Sequence, residues 1–114
     1  MMKTSINILN AIDDNKKISI TLTSCPHYLI TGGTGSGKST FSLYLIAKLC
    51  LFYKQATVYI LDFKGDEHFQ RFNNCKNYFS YTNCMTGLEE IYEIFNNRLI
   101  NTEDFSPLII FIDE

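Results

Sequence analysis

Tyr28-Leu29-Ile30-Thr31-Gly32-Gly33-Thr34-Gly35-Ser36-Gly37-Lys38-Ser39-Thr40 is the stretch on which the fold of this 114-residue chain turns. A short apolar run leads into the pattern G-x-x-x-x-G-K-[ST], met by Gly32 through Ser39, and a long apolar segment follows. That order predicts a strand over 28–31, a phosphate-binding loop, and a helix over 38–53 with apolar residues on nearly every side. A triphosphate is best surrounded by inward-pointing main-chain N–H groups, which demand a tight concave turn, and glycines permit that turn. The helix that follows turns its positive end toward the anion.

Each position of the loop then has an expected task. Gly32, Gly33, Thr34, Gly35, Ser36 and Gly37 wrap the phosphates. Lys38 reaches the β- and γ-phosphates as a mobile point charge. The Ser39 hydroxyl completes the shell of a Mg²⁺ ion, and Thr40 adds an N–H group on the α-phosphate side. ATP and Mg²⁺ are the implied cofactors. A plain glycine-rich surface turn would have no need of Lys-Ser at the start of a helix.

A second half of such a site is expected at Leu108-Ile109-Ile110-Phe111-Ile112-Asp113-Glu114. An apolar run ending in carboxylates reads as a buried parallel strand whose tip enters a ligand cleft. Asp113 would hold Mg²⁺ through its water shell, and Glu114 would polarise the water that attacks the γ-phosphate. Alone, the run would read as a strand leaving into an acidic turn; the upstream loop favours the catalytic reading. The expectation is that Lys38 and Asp113 converge on one nucleotide. A third strand, Thr57 to Asp62, runs into Phe63-Lys64-Gly65-Asp66, where Asp62 and Lys64 read equally as an edge of the same cleft and as a solvated ion pair.

Elsewhere the chain is punctuated clearly. Ser5 to Ile12 and Ile18 to Thr23 flank the polar turn Asp13-Asp14-Asn15-Lys16-Lys17, which predicts an N-terminal β-hairpin at the sheet's margin. Glu67 to Phe72 is expected as a short helix and Tyr78 to Tyr81 as a short strand. Thr86-x-x-Glu89 reads as a capping box opening a helix over 86–100. Its stripe of Leu88, Ile91, Tyr92, Phe95 and Leu99 is expected to pack in the core. The fold class is therefore α/β, a parallel sheet with flanking helices and an N-terminal β-hairpin. Residues 1–24 form the hairpin region and 25–114 the nucleotide-binding core.

Composition narrows the partners. A formal charge of −2, with ten basic residues scattered along the chain, provides no clustered basic face for nucleic acid. Cys25, Cys50, Cys75 and Cys84 contain no C-x-x-C pair, so a reduced, cytoplasmic setting is expected and neither they nor His27 and His68 resemble a zinc site. The longest apolar stretch, Leu43 to Tyr53, is interrupted by Lys48 and is too short to span a bilayer. Any membrane anchor is expected outside this chain.

Pro26-His27-Tyr28-Leu29-Ile30 running into Gly33 to Ser39, then Asp62-Phe63-Lys64-Gly65, then Ile112-Asp113-Glu114, resembles the FtsK/SpoIIIE branch of the FtsK–HerA P-loop ATPases. The resemblance covers residues 5–114 and implies a RecA-like (ASCE) core and an ATPase that, in a larger motor, translocates double-stranded DNA in chromosome partition or conjugative transfer. It also implies a homo-oligomeric ring, usually a hexamer, with the DNA contacts in parts outside this chain. By position, Lys38 and Ser39 match the family's phosphate and Mg²⁺ residues, and Asp113 and Glu114 its metal and water-activating acids. The family's strand between the loop strand and the Asp-Glu strand, its polar sensor and its trans-acting arginine come later in sequence. Arg71 and Arg98, the two arginines present, do not fall where the finger belongs. The resemblance thus implies the front part of a motor domain, truncated, with exposed sheet edges, a tendency to aggregate and poor hydrolysis when alone. Type VII-like protein secretion, a non-hydrolysing nucleotide-binding module and a small-molecule kinase are the alternatives.

Overall fold

A computed structural model describes residues 5–10, 13–22, 25–33, 35–101 and 106–113. The chain packs as two units, Met1–Phe52 and Tyr53–Glu114.

In the first unit, β1 (Ile6–Asn10) and β2 (Lys17–Ile20) pair antiparallel, as the hairpin pattern predicts. The turn is organised by Asp14, whose carboxylate accepts from Lys16 N at 3.0 Å, and by Asn15 at φ 54°, a left-handed conformation that asparagine tolerates well. The register shifts between Asn7 and Leu9. Ile8 is skipped there, and its carbonyl accepts from the Tyr44 hydroxyl at 2.6 Å, tying the hairpin to α1 (Lys38–Phe52). Helix α1 buries Ser42, Leu45, Ile46 and Leu49.

Residues 28–31 do not form the expected strand. Leu29 is 88% exposed, and the Tyr28 hydroxyl folds back to accept from Thr21 N at 3.0 Å. A strand exists only through a ladder partner, and among the described residues this segment has none.

The second unit is a three-stranded parallel sheet ordered β4-β3-β5, with β3 (Thr57–Asp62) central, β4 (Tyr78–Ser80) and β5 (Leu108–Asp113). Ile60, Tyr78 and Phe111 are register partners and share one face. The 3-10 helix over Glu67–Phe72 lies against it, its buried Phe69 ring 5.8 Å from Phe111 and 6.2 Å from Phe72. On the opposite face Tyr59 stacks on Phe79 at 6.2 Å, and α2 (Cys84–Ile100) crosses over β3 and β4. Gly87 sets how close the helix lies: a Cβ there would stand 2.6 Å from Leu61 Cδ2 and 2.7 Å from Phe79 Cδ2.

Three expectations are corrected here. Helix α2 begins at Cys84, two residues before Thr86, because the 3-10 turn Tyr81–Asn83 runs straight into it and no side chain caps its start. The stripe assigned to the core is largely in water, with Leu88 37%, Tyr92 65%, Phe95 55% and Leu99 64% exposed. Strand β5 is not fully buried either: Ile110 and Ile112 are 42% and 55% exposed. They lie on the α2 side of the sheet, but α2 packs chiefly on the other two strands.

Candidate nucleotide site

The glycine-rich loop sits in the first unit and leads directly into α1. Gly35 and Gly37 adopt φ of 79° and 88°, left-handed values at which any Cβ is strained. Ser36 N donates to the Gly33 carbonyl at 3.1 Å, closing the turn, and Phe41 N donates to the Gly37 carbonyl at 2.9 Å, so helical bonding starts as the loop ends. Gly32, Gly33, Gly35, Ser36 and Gly37 are exposed, Lys38 and Ser39 half-buried, and Thr40 exposed. Thr34 lies outside the described residues. No acidic side chain occupies the first turn of this 15-residue helix. Main-chain amides in a tight turn, an ammonium, a hydroxyl and an unopposed helix N-terminus form a donor set that suits a polyphosphate and its cation.

In the second unit two acids end neighbouring strands. Asp62 of β3 and Asp113 of β5 are register partners, and Phe63 N donates to the Asp113 carbonyl at 2.9 Å, extending the ladder one step. Asp113 is 8% exposed. Glu114 lies outside the described residues.

Asp62 is engaged with the loop that follows its own strand and with β4. It is wholly buried, and its Oδ1 accepts from Gly65 N at 2.9 Å and Asp66 N at 3.1 Å. Its Oδ2 accepts from the Tyr78 hydroxyl at 2.7 Å. This carboxylate folds the loop after β3 back on itself and ties it to β4. Burial, then the hydrogen bond and charge of Asp62, push the Tyr78 phenol far above the ordinary tyrosine range. Burial likewise raises the Cys84 thiol, which donates to the Phe79 carbonyl at 3.4 Å.

Lys64 makes its ion pair with Asp66, where the sequence reading pairs it with Asp62. Its half-exposed ammonium lies 3.6 Å from Asp66 Oδ2, an ion pair worth about 1 kcal/mol or less. Asp66 also receives His68 N and meets His68 Nδ1, each at 2.8 Å. The structural roles of Tyr78, Asp66 and His68 were missed in the sequence. The spacing Asp62-x-x-Gly65-Asp66 was the available signal, since an aspartate commonly caps main-chain N–H groups a few residues ahead.

Strand tips with acids, a glycine-rich turn opening a helix, and a parallel sheet flanked by helices together define a P-loop α/β NTPase fold. The chain belongs to the helicase HerA central-domain family, whose profile matches residues 7–113. It is thereby of the FtsK–HerA type of P-loop ATPase. Neither the curated proteins nor the solved structures contain a match to it. A HerA-type domain is an ATPase-type motor domain, and ATPases of this family bind nucleotide and are often oligomeric. Among the described residues no helix is long and apolar enough to cross a membrane.

Proposed function

We propose that this chain binds Mg-ATP through Gly32 to Thr40 and, within a larger ring-forming motor, contributes to hydrolysis that drives translocation of double-stranded DNA. The reading rests on one observation above the others: the turn made possible by Gly35 and Gly37 delivers Lys38 and Ser39 at the first residues of α1 in a HerA-family chain. Bound Mg-ATP supplies the phosphoanhydride bond whose cleavage releases the working free energy.

The chain's own groups have separable tasks. Backbone amides of the loop and the start of α1 bind phosphate oxygens, and Lys38 neutralises charge between the β- and γ-positions. Ser39 would give its hydroxyl to the cation. Asp113 would hold the cation through its water shell, and Glu114 would take a proton from the attacking water.

Equilibrium titration with a fluorescent ATP analogue tests the binding half. Lys38→Ala is expected to lose most of the affinity while melting like the parent, whereas Glu114→Gln keeps the affinity and, in a longer active polypeptide, slows turnover strongly. Unchanged binding in Lys38→Ala would remove the loop from the role. Stimulation of that polypeptide's turnover by duplex DNA tests the cargo, and indifference to DNA would favour a protein cargo.

A further inference from the structure

Helix α2 carries two adjacent stripes, each spaced alternately by three and four residues. The first, Cys84, Gly87, Ile91, Ile94 and Arg98, is buried or half-buried and includes the contacts with the sheet. The second, displaced by one residue, is Met85, Leu88, Tyr92, Phe95 and Leu99, exposed by 58, 37, 65, 55 and 64%. Five large apolar side chains in a row along one helix are too many to leave in water without a partner.

The spacing says what kind of partner. A 3-4-3-4 repeat averages 3.5 residues and forms a straight seam for the knobs of another α-helix; an extended strand has no such period. From Met85 to Leu99 the seam is about 21 Å long at 1.5 Å per residue, enough for four turns of a second helix. Its start is an open groove of about 470 Å³ lined by Met85, Leu88, Glu89, Tyr92 and Glu93.

Charge narrows the choice further. The solvent-side rim beside the stripe carries Glu89 and Glu93, both exposed, while the one basic residue of α2, Arg98, lies in the other stripe. Antiparallel pairing of α2 with the same helix of a second copy would bring the acidic rims together, and parallel pairing would set Glu89 beside the Cys84 flank, which offers it no cation. A helix with lysine or arginine beside its apolar positions neutralises the rim instead.

We propose that this seam docks an amphipathic helix of a partner protein, apolar at its a and d positions and basic at the flanking ones. The site lies wholly in the second unit and does not depend on nucleotide.

Two synthetic helical peptides of three heptads test it, both with Leu at a and d, one with Lys and one with Glu at e and g. In anisotropy titrations with the 114-residue chain, the Lys peptide is expected to bind saturably and at least ~10-fold more tightly than the Glu peptide. The double variant Tyr92→Lys/Phe95→Lys should abolish binding. Glu89→Lys/Glu93→Lys should reverse the preference, and because both positions are exposed and polar, its thermal melt should match the parent's. Glu67→Lys, the same charge change on another element, should leave the preference intact. Equal binding of both peptides, or a preference that survives reversal of the rim, would overturn the proposal. So would sedimentation showing a dimer that Tyr92→Lys dissociates, since a second copy would then occupy the seam.

Discussion

The Tyr78 phenol donates to Asp62 Oδ2 at 2.7 Å in a site where Asp62 is wholly buried and Tyr78 is 9% exposed. This bond joins the last residue of β3 to the first of β4, and its consequences extend to both stability and pH dependence. Replacing Tyr78 with Phe leaves a buried carboxylate oxygen one donor short, so Tyr78→Phe is expected to cost about 1–3 kcal/mol at neutral pH. Urea denaturation followed by circular dichroism measures it, and a cost near zero would mean that the bond contributes nothing.

Alkali should weaken the fold. Burial, followed by the Asp62 hydrogen bond, raises the Tyr78 phenol, and burial raises the Cys84 thiol. In each case the folded chain keeps its proton at a pH where the unfolded chain has lost it. The unfolded state then binds fewer protons, and stability falls as pH rises. These contributions are fully present below the unfolded values, about 8.5 for cysteine and about 10 for tyrosine, and are lost above them. Midpoints of urea melts should therefore decline from about pH 8.5 upward and more steeply past pH 10, with Tyr78→Phe showing the shallower decline above pH 10.

At Gly87 helix propensity and packing pull in opposite directions. Alanine is the better helix former by about 1 kcal/mol, yet its Cβ would press on Leu61 and Phe79 at 2.6 and 2.7 Å. Overpacking costs about 1–3 kcal/mol, so Gly87→Ala is expected to be net destabilising in the same melts. A stabilised variant would show that α2 can lift from the sheet freely.

The loop glycines give the reverse separation. At φ 88°, Gly37→Ala would strain the turn by about 1–2 kcal/mol. If the turn relaxes to relieve that strain, the amides lose their aim, and ATP affinity should fall about tenfold for each 1.4 kcal/mol of lost interaction. Isothermal titration and a melt on the same sample separate the two outcomes.

Lys64 supplies the contrast. Its ion pair with Asp66 is half-exposed, so Lys64→Ala should change stability by less than about 1 kcal/mol. A larger loss in the urea melt would show that the loop after β3 depends on that charge.

Much of this was legible in the residues themselves. Gly32 to Ser39 could be read as a phosphate loop because its chemistry is local: glycines at fixed offsets and a helix immediately after them. The hairpin was legible for the same reason, as alternating residues around a polar turn. Helix α2 was legible in its period but not in its orientation, since Cys84, Gly87 and Leu88 all fit one helical pattern. Only the close approach at Gly87 reveals which stripe meets the sheet.

What the sequence alone determined is therefore what neighbouring residues impose on one another: the loop, the hairpin, the helices, and the apolar strands ending in Asp62 and Asp113. The tertiary structure decided what depends on partners distant in the chain. It gave Asp62 to Tyr78 and the loop amides, left residues 28–31 without a ladder among the described residues, and turned an apolar stripe of α2 to solvent. Local torsional and spacing preferences are written in consecutive residues, whereas burial and hydrogen-bond satisfaction are properties of surfaces that exist only once the chain has packed.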